Sequence, residues 1–297
     1  MAAGSVNFPS AGQSDTGRLL AHVTLGPVAL TVVSFHAHPD DESLLTGGTL
    51  AGLAAEGHRV VLVTATAGES GLSGTGERAS VLARRRLAEL DRAASELGIA
   101  RVVCLGYPDS GYPGVPPVDS FSRTDVGAAA ARLATVLTEE QADILTIYDR
   151  QGGYGHPDHI QVHHVGTAAA QLAGTPRVLQ ATLDRQSVTR LARVLQVVPG
   201  LPREFRVRRL ATAYSPRTEL THCIDVRPQL DVKRAAMGAH ESQRGGGGRP
   251  RSLDIYLRLP RPIFARMFGR EWFIETGRRP PQHVLGEQLL GGLGSSE

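Results

Sequence analysis

Lysine is almost missing from this chain: it occurs once, at Lys233, and the rest of the 32 basic residues are arginines. Surfaces built to hold a nucleic-acid backbone gather lysine and arginine into local patches. Here the arginines are scattered, apart from short runs such as 84–86 and 206–209, and the formal net charge is only +3. Nucleic-acid binding is therefore not expected. Aromatic residues are few, at 5%, so the core must be built from Ala, Val and Leu. The 2 cysteines, Cys104 and Cys223, exclude a disulfide framework. Both lie in apolar strand-like runs, as structural thiols in a reducing compartment do. No run of about 18 apolar residues exists to span a membrane. No basic segment followed by an apolar stretch and a cleavage site opens the chain. A cytoplasmic protein without membrane insertion is the expectation.

What is present is an alternation of strand-length and helix-length patterns. Residues 30–35, 60–66, 102–105 and 144–148 are β-branched or apolar runs of strand length. Between and after them, 44–55, 78–97, 125–140 and 159–172 carry helical periodicity, with Gly57 and Gly98 placed to end two of these helices. Such alternation predicts βαβ units and a mainly parallel sheet between helical layers, a Rossmann-like α/β three-layer sandwich. Beyond it, a strand over 222–226, a helix over 228–240 and little other regularity predict an irregular C-terminal cap. The expected organisation is a loose N-terminus over 1–20, a single domain over 21–277 and a frayed tail over 278–297.

In such a sheet, ligands gather where strands end. Directly after the first strand stands His36-Ala37-His38-Pro39-Asp40-Asp41-Glu42. Directly after the fourth comes Gly152-Gly153-Tyr154-Gly155-His156-Pro157-Asp158-His159. Parallel topology puts both at one edge of the sheet. Amide hydrolysis needs a nucleophilic water, a base for its proton, an electrophile for the carbonyl oxygen and an acid for the leaving amine. A divalent metal on two imidazoles and a carboxylate supplies the electrophile, while a second carboxylate off the metal serves as base. The two clusters contain that whole inventory. Alone, either motif could be a turn or a helix cap; capping does not call for two histidine-rich turns on one sheet edge.

These motifs, His38-Pro39-Asp40-Asp41-Glu42 and Gly155-His156-Pro157-Asp158-His159, resemble those of the PIG-L/LmbE-like N-acetylglucosaminyl deacetylases. Looser matches are Arg86-Leu87-Ala88-Glu89-Leu90, Asp109-Ser110-Gly111 and Lys233 through His240-Glu241-Ser242-Gln243. The resemblance implies a metal-dependent N-deacetylase acting on an N-acetylglucosamine-type sugar or glycoconjugate. It implies His38, Asp41 and His159 as ligands of a zinc ion, a set that also accepts iron(II). It implies Asp40 as general base and His156 as oxyanion stabiliser or acid. Tyr154 would help polarise the carbonyl, and Asp158 would orient a histidine. Arg86 and Asp109 would grip substrate hydroxyl or phosphate groups.

Three other readings share parts of this inventory. The same residues would serve an amidase for a larger thiol conjugate or an acylated natural product. Two histidines and a carboxylate also make the facial triad of non-haem iron oxygenases. A non-catalytic sugar-binding protein would need no base beside the ligands. Of the remaining histidines, His163 would share a helical face with His159 and is read as packing. His36 could brace the metal loop, and His240 stands between helix support and the edge of the site. The glycine-rich stretch 68–76 matches neither a phosphate loop nor a serine-hydrolase elbow. It is expected to border the substrate cleft, and Gly245 to Gly248 to be linker.

Overall fold

A computed structural model describes residues 29–71, 78–195, 212–246 and 249–280. The run expected to be loose at the N-terminus, residues 281–297 of the tail expected to fray over 278–297, the arginine run 206–209 and residues 72–77 of the glycine-rich stretch lie outside them. In chain order the main elements are β1 (Thr31–His36), α1 (Asp41–Leu45), α2 (Gly47–Ala55), β2 (Arg59–Thr66), α3 (Ala79–Leu97) and β3 (Arg101–Tyr107). They continue with α4 (Val126–Glu139), β4 (Ile144–Tyr148), α5 (Pro157–Ala173), β5 (Arg177–Thr182) and α6 (Arg185–Leu195). The C-terminal part holds β6 (His222–Asp225), α7 (Leu230–Ala239), the two-residue strands β7 (Gly245–Gly246) and β8 (Arg249–Pro250), α8 (Ser252–Leu257), α9 (Arg261–Phe268) and β9 (Arg270–Glu275).

Seven strands form one sheet in the order β3-β2-β1-β4-β5-β9-β6. β1 to β5 are mutually parallel; β9 runs antiparallel to β5 and to β6. The mainly parallel sandwich expected from the alternation is what forms. The expected helix over 44–55 is interrupted at Thr46, giving α1 and α2. Strand β9 was not foreseen. Its sequence Arg-Glu-Trp-Phe-Ile-Glu has a charge at both ends, and the buried Glu271 disguises its alternation. It brings the C-terminal part into the main sheet.

The chain winds from β1 outward through β2 to β3, then crosses back to place β4 on the other side of β1. β1 and β4 pair directly, Val32 opposite Ile144. Connections leaving their C-terminal ends go to opposite faces, which opens a crevice at that end. One face is covered by α4 and α5, whose inward residues Ala129, Leu133, Leu137, Val162, Val165 and Ala169 are fully or almost fully buried on Phe35, Val63 and Ile147. On the other, Leu50 and Leu53 of α2 pack against Val32, Val60 and Ile144. Gly166 of α5 lets that helix approach the sheet, because a Cβ there would lie 2.4 Å from Ile147.

Candidate metal centre and active site

Both histidine motifs converge at the crevice. His38 and Asp41 follow β1, and Asp41 begins α1. His156 caps α5: its Nδ1 accepts from the Asp158 N–H at 3.1 Å, with Pro157 and His159 in the first turn. The loop between β4 and α5 turns tightly on Gly152, Gly153 and Gly155, all at positive φ. Gly152 matters most, because a Cβ there would sit 2.6 Å from the Ile160 nitrogen and 2.9 Å from the His159 Cβ.

Asp41 Oδ2 lies 3.3 Å from His38 Nδ1 and 3.3 Å from His159 Nε2. That is about the donor–donor edge of a tetrahedron whose bonds are ~2.0–2.1 Å, as around zinc. All three residues are buried. Among the described residues, neither His159 nitrogen has a hydrogen-bond partner; Nε2 is near Asp41 but not aligned with it. A buried imidazole without partners is costly unless something else meets its lone pair. The other nitrogen of His38 lies 3.1 Å from Asp158 Oδ2 and 3.4 Å from Asp109 Oδ1. This is the carboxylate–histidine arrangement that fixes a metal-binding ring. The set His38, Asp41, His159 therefore fits a divalent metal.

A second cluster, His38, Asp109, His156 and Asp158, also brings ligand atoms close together. It fits less well, because each of its carboxylates accepts two N–H or O–H bonds from its own loops, whereas Asp41 Oδ2 takes one, from the His38 N–H at 3.1 Å. Asp158 accepts from the Ser110 N–H at 3.0 Å and from the Ser110 hydroxyl. Asp109 accepts from the N–H groups of Gly111 at 2.8 Å and Ser70 at 3.2 Å.

Asp40 stands between the ligand positions with its carboxylate off the set. Its backbone is left-handed, at φ 115°, which is strained for a residue with a Cβ. Burial pushes its carboxyl up to about 6, against the pull of Arg86. His156 is pushed the other way, down to about 3, by burial and by the charge on His38. Burial also disfavours charge on Asp41, yet His159 and His38 hold it well below the usual carboxylate range. Tyr154 is about half exposed, its ring centred 5.1 Å from His159, 6.1 Å from His156 and 5.9 Å from Tyr112.

Arg86 and Asp109 both reach the site. Arg86 is 3% exposed and Asp109 6%. The guanidinium donates to Gly68 O at 2.7 Å, to Pro39 O and to Asp40 Oδ1 at 3.2 Å. Gly68 is glycine because a Cβ would lie 2.3 Å from Arg86 Nη1. Both side chains hold loops together. His36 is a brace: its ring contacts Ser34 Oγ at 2.8 Å and Tyr148 OH at 3.1 Å, and burial keeps it neutral with a pKa near about 4. His163 lies aside, bonded to Tyr148 O at 3.0 Å. Sequence reasoning left out Glu42, Ser110 and Tyr112. Glu42 closes the motif already recognised; Ser110 and Tyr112 follow Asp109 closely, which was the available signal.

Residues 33–170 match the family model described as PIG-L: GlcNAc-PI de-N-acetylase. A relative from Nocardiopsis dassonvillei, a 1D-myo-inositol 2-acetamido-2-deoxy-alpha-D-glucopyranoside deacetylase, is 39% identical over 70% of this chain and 82% of its own. Among solved structures, the N,N'-diacetylchitobiose deacetylase of Pyrococcus horikoshii has a TM-score of 0.53 at 22% identity, covering 83% of this chain and 84% of that one. The 4-carboxy-2-hydroxymuconate hydratase of Pseudomonas putida scores 0.52 at 18% identity, covering 86% and 99%. The two neighbours share the fold and differ in reaction, so the fold alone does not name the chemistry.

Proposed function

The chain belongs to the PIG-L family, and on that premise we propose that it is a metal-dependent N-deacetylase for a 2-acetamido sugar carried on a polyol such as inositol. The observation that carries this is the place of Asp40: a half-buried carboxylate beside the ligand set, paired with Arg86 at 3.2 Å. A binding protein has no use for a strained base there. A single divalent ion, with zinc as the expected one, would be held by His38, Asp41 and His159, and when bound it supplies the electrophile and lowers the pKa of water.

Asp40, its carboxyl pushed up to about 6 by burial, is poised to take the proton of the attacking water. His156 Nδ1 accepts from the Asp158 N–H, so a neutral ring carries its proton on Nε2. That N–H donates to the oxygen that becomes negative as the tetrahedral intermediate forms. Tyr154, from the same loop, covers the mouth and assists the same oxygen. The proton gathered by Asp40 returns to the sugar nitrogen as the C–N bond breaks, leaving acetate and a free amine. Asp158 fixes the His38 ring through Nε2, and Ser110 fixes Asp158. Arg86 and Asp109 are framework in this account. Residues 21–277 are taken as one domain, because β9 lies in the same sheet as β1.

The test is release of free amine from N-acetylglucosaminyl-inositol, simple N-acetylated amino sugars and bulkier amides, with metal-loaded and chelated protein. Metal-dependent release that favours the inositol glycoside supports the reading. Release only from bulky amides moves the protein to amidase chemistry on the same site, and a silent panel overturns the proposal.

A further inference from the structure

The strained Asp40 is held by a device that begins far away in the chain. Its backbone N–H donates to Glu42 Oε2 at 2.9 Å. The other oxygen of Glu42 accepts from His240 Nε2 at 2.7 Å and from the Ser43 hydroxyl at 2.5 Å. Glu42 and His240 are both fully buried. His240 ends α7, 198 residues from Glu42 in sequence. A carboxylate with both oxygens engaged cannot swing, so the N–H it receives is fixed as well.

The same turn also reaches the other side of Asp40. Ser242, two residues after His240, donates from its backbone at 2.8 Å and from its hydroxyl at 2.6 Å to Glu89 of α3. Glu89 lies one helical turn beyond Arg86, the residue that holds the Asp40 carboxylate and the Pro39 carbonyl. His240-Glu241-Ser242 thus anchors both arms of a clamp, one on the backbone of Asp40 and one on the helix that supplies its guanidinium partner.

We propose that Glu42 and His240 are positioning residues for Asp40, keeping its backbone left-handed and so aiming its carboxylate. Neither touches substrate. The proposal rests on reading Asp40 as the base, and its test separates the two ideas. In full-length metal-loaded protein, His240→Met removes the donor and His240→Gln returns one at the place of Nε2. Crystal structures report the Asp40 conformation whether or not the protein is a deacetylase.

In His240→Met, Asp40 is expected to leave the left-handed region. On the acetamide substrate kcat should fall about 10- to 100-fold, the cost of misplacing a reacting group by an ångström or so. KM should stay within about twofold and one metal should be retained, since the effect falls on the chemical step. His240→Gln should recover most of the loss. In an Asp40→Asn background, His240→Met should change the residual rate by less than about twofold, because residues acting as a unit are not additive. An unmoved Asp40 in His240→Met overturns the proposal, as does an equal loss of rate in the Asp40→Asn background. If wild type releases no amine at all, the deacetylase reading fails and the crystal structures decide the clamp alone. Should His240→Met not fold, Glu42→Gln takes its place, and a normal kcat with an unmoved Asp40 there overturns it equally.

Discussion

The two faces of the sheet are built from different material. The face under α4 and α5 is apolar: Ala129, Leu133, Leu137, Val165 and Ala169 are buried with hardly a charge among them away from the site. The opposite face, under α3 and α7, buries Arg86, Glu89, Lys233, His240 and Glu271. Lys233 donates to Glu271 Oε1 at 2.6 Å, and Glu271 also accepts from the first N–H groups of α2, Gly48 and Thr49, each at 2.8 Å. Buried ion pairs stabilise little compared with apolar packing of the same volume, but losing one partner is costly. Charges placed on only one face therefore point to a task other than stability. That face carries the clamp on Asp40 and the N-terminus of α2, next to the metal loop, whereas the apolar face serves as foundation.

This contrast can be broken or sharpened by substitution. The largest effect should come from Lys233→Met, which leaves Glu271 buried and charged. Unfolding in denaturant should show a loss of about 3–5 kcal/mol; a loss under about 1 kcal/mol would mean that this face tolerates its charges without pairing. Next, Leu133→Ala on the apolar face should cost about 2–4 kcal/mol through its cavity. The folded variant should keep wild-type kcat at saturating metal, and a fall in kcat would erase the distinction between the faces. Asp125→Ala should cost about 1 kcal/mol, because Asp125 Oδ1 caps α4 by accepting from the Ala128 N–H at 2.8 Å.

A further effect is one of pH, at the far edge of the sheet. Burial lowers His222 to about 4, opposed by Glu275. The unfolded chain, with its ordinary value near 6.5, thus binds the proton first. Stability should decline as pH falls below about 6.5 and level off near 4. In His222→Gln that part of the decline should vanish; an unchanged acid profile would rule His222 out as its source.

The apolar face was almost fully legible in the sequence, because helical periodicity and β-branched runs report burial directly. The meeting of His38, Asp41, His156 and His159 at one sheet edge was legible too, because they lie in contiguous runs that follow strands. The charged face was not. Glu271 carried no signal in the sequence and Lys233 stood only among the looser family matches, because their pairing needs β9 and α7 side by side. His240 could be weighed but not placed, since Glu42, its partner, is remote in sequence. Arg86 was expected at the site from a loose match alone; its contacts to Gly68, Pro39 and Asp40 come from loops remote in sequence and could not be read there.

The most direct measurement compares Asp40→Asn with wild type for metal content and for amine release from N-acetylglucosaminyl-inositol. A base beside the ligand set predicts one metal per chain in both proteins and turnover reduced by about 10²–10⁴ in the variant. Loss of the metal together with activity would place Asp40 among the ligands, and full activity in Asp40→Asn would remove it from the reaction.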